Sequence, residues 1–291
     1  MPPEPTHELC IRQAKPEDAA LCGQICFDAF TAINRQHAFP PDFPSAEVAQ
    51  GLLGMLFAHP GYYCEVAEVD GVVVGSNCLD ERSPITGLGP ITVAPGAQNR
   101  GAGRKLMESA LTRAGAQGRL GVRLVQVAFH TRSMALYASL GFDTREPLAC
   151  MNGAAIGRVP PGCTVRAAET ADIAACADLS FRVHGFSRAG ELPDAIAAGG
   201  ARVVLRDGRL TAYTTGVSFF GHAAAETNLD LQALLGATEA FGGPGVLIPT
   251  RNAELFRWCL AKGLRIVQPL TLMSWGLYQE PAGAFWPSIL Y

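Results

Sequence analysis

Residues 98–103 read QNRGAG and lie between the apolar run PITVAP (90–95) and RKLMESALTRAGA (104–116). In the second run Leu106, Met107, Ala110, Leu111 and Ala114 fall on one face of a helix. A strand therefore passes through small residues straight into a helix, with Arg100 and Arg104 flanking the glycines. Small residues let backbone N–H groups approach a ligand, and a helix N-terminus favours negative charge. The stretch predicts a site for an anion.

Several anion-binding patterns compete for it. A P-loop needs G-x-x-x-x-G-K-[ST]. Gly96 and Gly101 have that spacing, but Ala102 and Gly103 stand where Lys and Ser/Thr must be. A dinucleotide fingerprint needs G-x-G-x-x-G. Gly101 and Gly103 fit it, Leu106 replaces its third glycine, and the next strand, ending VQVAF, lacks the acidic residue that holds a ribose. A surface turn that merely opens a helix is the plain alternative. A strand running into Gln-x-x-Gly-x-Gly is the pattern that remains.

The rest of the chain sets limits. Its 291 residues suffice for two domains. The net charge of −3 shows no basic surplus, which argues against nucleic acid as the main partner. The N-terminal MPPEPTHELC has no basic-then-apolar targeting pattern, and no apolar run is long enough to span a bilayer. A cytoplasmic location without membrane contact is expected. The nine cysteines include no C-x-x-C pair. Cys22, Cys26 and Cys176 read as reduced core residues, and no metal site is expected.

The chain also repeats itself. IRQAKPEDAALC from Ile11 matches VRAAETADIAAC from Val165, at an offset of 154. Asp-Gly turn signals recur at Asp70 and Asp207, an offset of 137. GFDTREPLACM from Gly141 matches GLRIVQPLTLM from Gly263, an offset of 122. The order of elements is shared while the second copy is shorter, and one loss falls where the first copy carries QNRGAG. The Gly- and Pro-rich segment 152–163 marks the junction, giving domains 1–155 and 156–291. The first reads β-α-α-β-β-β-α-β-α-β: a strand at Leu9–Ala14, helices from Pro16 and Ser45, hairpin strands 62–69 and 72–79, a strand through Ile91–Val93, the glycine helix, a strand VRLVQVAF, a short helix SMALYASL and a last strand. This is an α/β (α+β) fold, a mixed sheet with helices on its faces.

Gln98, Gly101 and Gly103, followed by SMALYASLGF with Tyr137, Gly141 and Phe142, resemble the GCN5-related N-acetyltransferase (GNAT) family. Its signatures are [QR]-x-x-G-x-[GA] and A-x-x-x-Y-x-x-x-G-F. Ser133 departs from the alanine of the second. The resemblance covers about residues 9–151, and residues 163–275 resemble the same fold in degenerate form. It implies two acyl-CoA N-acyltransferase-like domains, each a mixed, mostly antiparallel twisted sheet flanked by helices. It implies acetyl-CoA as cofactor, with Gln98, Asn99, Arg100, Gly101, Ala102, Gly103 and Arg104 around the pyrophosphate and Ile91, Thr92 and Val93 along the pantetheine arm. Tyr137 would return a proton to the thiolate, and His130 would contact the cofactor or act as a base.

Other assignments stay open. Many relatives carry a glutamate base on the fourth strand, and TGLGPITV has none. Asp80, Glu81, water or a residue of the second half could serve. At the 122 offset His130 becomes Asn252 and Tyr137 becomes Cys259, so no second cofactor site is expected. His222, Glu226 and Asn228 are candidates to line an acceptor site, against plain roles as a strand end and helix cap. The expected activity is acetyl transfer from acetyl-CoA to a primary amine of a small molecule by direct attack on the thioester. A protein N-acetyltransferase, a non-catalytic acyl-CoA sensor and an interaction module are the alternatives. The expected partner is a small-molecule amine, and pairing as a homodimer is left open.

Overall fold

A computed structural model describes residues 8–291, so part of the N-terminal stretch read above, 1–7, lies outside the described residues. By its contacts the chain divides into two units. The N-terminal unit is Met1–Glu81 with Thr86–Arg119, and the C-terminal unit is Arg82–Ile85 with Leu120–Tyr291. The division falls inside the first repeat, and strand pairing within the C-terminal unit explains why. No helix among the described residues is long and apolar enough to cross a membrane.

The N-terminal unit comprises β1 (Leu9–Gln13), α1 (Ala19–Gln36), α2 (Ala46–Ala58), β2 (Tyr62–Val69), β3 (Val72–Asp80), β4 (Ile85–Leu88) from its second residue on, β5 (Thr92–Val93) and α3 (Ala102–Ala116). β1, β2 and β3 form an antiparallel meander. The expected single strand through Ile91–Val93 is two short ones. β4 pairs with the end of β3 (Leu79 opposite Leu88), and β5 pairs further back (Gly75 opposite Val93). Gly75 permits the second pairing, since a Cβ there would lie 2.5 Å from the Thr92 carbonyl oxygen. Cys22 and Cys26 of α1, with Leu53 and Leu56 of α2, are fully buried. On α3 the buried residues are Ala102, Leu106, Met107, Ala110 and Ala114, which include four of the five expected stripe residues, while Leu111 is half-buried.

The C-terminal unit comprises β6 (Gly121–Val127), α4 (Thr131–Ser139), β7 (Asp143–Asn152), β8 (Cys163–Ala167), α5 (Ile173–His184), α6 (Leu192–Ala197), β9 (Arg202–Arg206), β10 (Arg209–Thr214), β11 (Ala223–Ala225), α7 (Asn228–Ala237), β12 (Val246–Pro249), α8 (Ala253–Ala261), β13 (Arg265–Gly276) and β14 (Ala284–Trp286). Five of these strands form a sheet in the order β14-β11-β10-β9-β8.

The repeat is visible as repeated geometry. Arg12 grips Asp18 with two hydrogen bonds of 2.7 and 2.9 Å, and Arg166 grips Asp172 with two of 2.6 and 2.7 Å. Each aspartate also accepts a backbone N–H, from Lys15 and Glu169 respectively, at 2.8 Å. The shared Arg-x₅-Asp spacing is thus a clamp from a strand to the turn that opens the next helix. These arginines hold both carboxyls below their usual range. Both Asp-Gly pairs adopt positive φ, as a tight hairpin requires. Gly141 and Gly263 end α4 and α8 at φ of +91° and +89°.

The last strands of the two repeats are exchanged. The order β6-β13-β7-β12 places β13 between β6 and β7, and β7 between β13 and β12. All three pairings are antiparallel. Leu270 and Leu272 of β13 meet Val127 and Val125 of β6 across the ladder and share a core with Leu148, Leu247 and Phe186. Neither repeat can complete its sheet alone. A chain ending at Ala155 is therefore expected to aggregate and lose its cooperative thermal transition, because β6 and β7 each lose a whole ladder of backbone partners. Size-exclusion chromatography and calorimetry check this; a monomeric fragment with a sharp transition is the contrary result.

Candidate functional site

The glycine loop, residues 98–103, lies in the N-terminal unit. The Gln98 side chain donates to the Val93 carbonyl at 3.0 Å, folding the segment back onto β5. Asn99 and Gly101 are left-handed, at φ of 65° and 90°. Gly101 is the residue preceding α3, and no side chain caps the helix there. The N–H groups of Ala102 and Gly103 open the helix and have no acceptor within it. Arg100 and Arg104 are exposed, and Arg104 lies 3.7 Å from Glu108. The Lys105 ammonium donates to the Leu9 carbonyl at 3.1 Å, so this lysine ties α3 to β1. Thr92 is buried, and Ile91 and Val93 pack in a small cluster with Ala102 and Leu106.

Two further groups in this unit bear on a cofactor. The Asn77 amide and Thr86 hydroxyl are buried without hydrogen-bond partners. By register Asn77 lies opposite Glu65, which accepts a 2.8 Å bond from Ser109 of α3. Unpaired buried polar groups cost free energy unless a ligand or water serves them. An uncapped glycine-led helix and these groups fit a cofactor carrying both a pyrophosphate and amides.

His130 and Tyr137 belong to the C-terminal unit, with α4. His130 precedes the helix as its N-cap, and the Ser133 hydroxyl lies 2.8 Å from its Nδ1. Tyr137 is buried and packs against Phe142 at 6.2 Å between ring centroids. Burial pushes its phenol up to about 12, and a hydrogen bond from Ser133 partly offsets this. Ser133 thus contacts both predicted residues. Its signal in the sequence was its departure from the family's alanine.

The carboxylates sort differently from expectation. Glu81 is gripped by Arg113 through two bonds of 2.8 and 2.9 Å. Asp80 ends β3 and is buried. The sequence reading missed Glu146 of β7, which is 3% exposed and pushed up to about 6 by burial. Its repeat partner is Gln268, so its charge is peculiar to the first copy. Among the described residues no group of three or more His, Cys, Asp or Glu side chains could hold a metal ion.

In the second repeat Asn252 caps α8 by accepting from the Leu255 N–H, whereas His130 holds the N-cap position of α4 without a capping bond from its side chain, and Cys259 is buried in the place of Tyr137. His222 is fully buried between Glu191 at 3.0 Å and the Tyr213 hydroxyl at 3.2 Å. Burial and the Arg188 charge hold its pKa below the ordinary value, against the pull of Glu191. Glu226 is bound by Arg209 at 2.7 and 2.9 Å, and Asn228 pairs with Glu254 and Asn252. These three residues serve separate contacts. The helix corresponding to α3 is α7, and it is capped from within. Thr227 and Asp230 form a capping box, and Asp230 also accepts from Arg206 and Thr211.

Comparison with known proteins finds a family match for part of the chain and a shared fold for nearly all of it. The acetyltransferase (GNAT) family model matches residues 28–142, which include the glycine loop and the Tyr137 helix. No curated protein matches the sequence. The fold resembles that of a Pyrococcus horikoshii protein assigned as an acetyltransferase, at 18% identity and a TM-score of 0.73, over 94% of this chain and 93% of that one. It also resembles a GCN5-related N-acetyltransferase from Sphaerobacter thermophilus (14% identity, TM-score 0.56, 95% and 98% covered). A tandem GNAT protein from the clavulanic acid biosynthesis pathway is similar as well (16%, 0.55, 95% and 99%). At these identities the likeness shows a shared fold, here over nearly the full chain. Residues 28–142 thus match the acetyltransferase (GNAT) family, and nearly the full chain shares the fold of these proteins.

Proposed function

We propose that this protein transfers the acetyl group of acetyl-CoA to a primary amine of a small molecule. One cofactor site, in repeat 1–155, would serve the reaction, and repeat 156–291 would be a degenerate copy without its own. The observation that carries this reading is the uncapped start of α3 behind left-handed Gly101. Gln98 to Arg104 would receive the pyrophosphate, whose charge also removes the penalty of Arg104 and Lys105 in a first helical turn. Ile91 to Val93 would accompany the pantetheine arm. Bound acetyl-CoA supplies a thioester carbonyl open to direct attack by an amine.

The chain's own residues would manage protons. A phenol pushed up to about 12 stays protonated at neutral pH, so Tyr137 is in the form that can donate to a departing thiolate. Ser133 orients it, and His130 lies within reach of Ser133. In the second repeat, the Asp230 carboxylate at the start of α7 supports the absence of a second pyrophosphate site, because it already supplies the negative charge. The small-molecule acceptor rests on the lack of a basic surplus.

Acetyl-CoA is expected to raise the melting temperature of the wild type, with little or no effect on Gly101→Asp, whose side chain brings a negative charge and strains a positive φ. An equal shift in the variant would remove the pyrophosphate assignment. Tyr137→Phe should keep the thermal shift and lose about 10²–10⁴-fold in kcat. Because the phenol titrates near 12, its protonated form persists to high pH. Wild-type kcat should show no falling limb from this group at pH 9–10; a limb there that Tyr137→Phe abolishes would contradict the assigned role.

A further inference from the structure

The C-terminal unit contains a cleft that includes Glu146 and Asn252. Glu146, Pro249, Arg251, Asn252, Glu280 and Phe285 line a space of about 220 Å³. Glu146 is 3% exposed, and its Oε1 has no hydrogen-bond partner. Its other oxygen accepts from the Arg251 guanidinium at 3.4 Å, and the Arg251 backbone N–H also supports the carboxylate. The same Arg251 Nη1 also lies 3.4 Å from both oxygens of Glu280 and from the Arg145 carbonyl. One nitrogen is spread over four acceptors, each beyond the usual 2.7–3.2 Å for N–H···O. Asn252 is already committed, accepting from the Leu255 N–H and donating to Asn228 at 2.7 Å.

The charges and walls select a ligand. Two carboxylates face a single guanidinium, a net charge of about −1 that favours a cation. Pro249 and Phe285 offer apolar surface beside them. The unsatisfied oxygen of a buried carboxylate asks for a donor, and a primary ammonium carries three.

From this geometry we infer that the cleft binds a small primary ammonium, its N–H groups on Glu146 and Glu280 and its alkyl chain against Pro249 and Phe285. The inference does not depend on acetyl transfer. Arg251 is then the resident competitor that an ammonium partly displaces.

Calorimetric titration of the whole chain with n-butylammonium, without acetyl-CoA, tests it, with butan-1-ol and butyrate as controls. Butylammonium should bind saturably, and the two controls should not. Glu146→Gln should weaken binding about tenfold, as expected for loss of a charged hydrogen-bond acceptor. Glu280→Gln should weaken it less, and Arg251→Gln should tighten it by removing the competing cation. Circular dichroism confirms that each variant is folded. If Glu146→Gln does not fold, the opposite signs at Glu280 and Arg251 carry the test. Absence of saturable butylammonium binding, equal affinity in folded Glu146→Gln, or binding of butyrate instead would each overturn the proposal.

Discussion

The exchange of β7 and β13 is the constraint on which the C-terminal unit rests. A central strand must find hydrogen-bond partners on both edges, because buried backbone N–H and C=O groups are costly when unpaired. β6 finds its partner in β13, a strand that begins 138 residues after β6 ends. β12 finds its partner in β7. Each repeat therefore completes the sheet of the other, and both short helices, α4 and α8, hang from that shared sheet. This is why the compact units do not follow the sequence repeats.

Two helix starts illustrate how one architecture can diverge. α3 and α7 occupy corresponding places in the repeats. The first begins at a glycine with no capping side chain, in a segment of small residues. The second begins at Thr227, with Asp230 folded back to cap it. Burial alone would raise the Asp230 pKa, but hydrogen bonds from Arg206, Thr227 and Thr211 outweigh it and hold the carboxyl below its usual range. A fixed negative charge thus sits at the start of α7, where α3 has no capping side chain. The difference in length between repeats accompanies a difference in electrostatics.

Much of this was legible in the sequence. The α3 stripe, the Asp-Gly hairpins and the glycine ends of α4 and α8 are local features, set by periodicity and by residues that accept positive φ. The Arg-x₅-Asp pattern was visible as a repeat, although its meaning as a clamp was not. The split of β4 from β5 was not read, because both short strands lie in one apolar run, although Gly89 and Pro90 fall between them and a proline cannot donate to a ladder. Glu146 was hidden for another reason. Nothing in the sequence reading singled it out, and its lack of a full partner depends on residues more than a hundred positions away.

By itself the sequence determined most of the element order of the first half, the family motifs, and the matching segments that recur at unequal offsets. These follow from short-range rules: periodicity, turn chemistry and capping. Only the tertiary structure decided which repeat supplies which strand, that His222, Glu226 and Asn228 serve separate contacts, and that Ser133 joins His130 to Tyr137. The physical reason is that burial, strand partnership and charge compensation are properties of groups brought together from distant parts of the chain. A residue's identity states what it can do, while its neighbours in space determine which of those things it does.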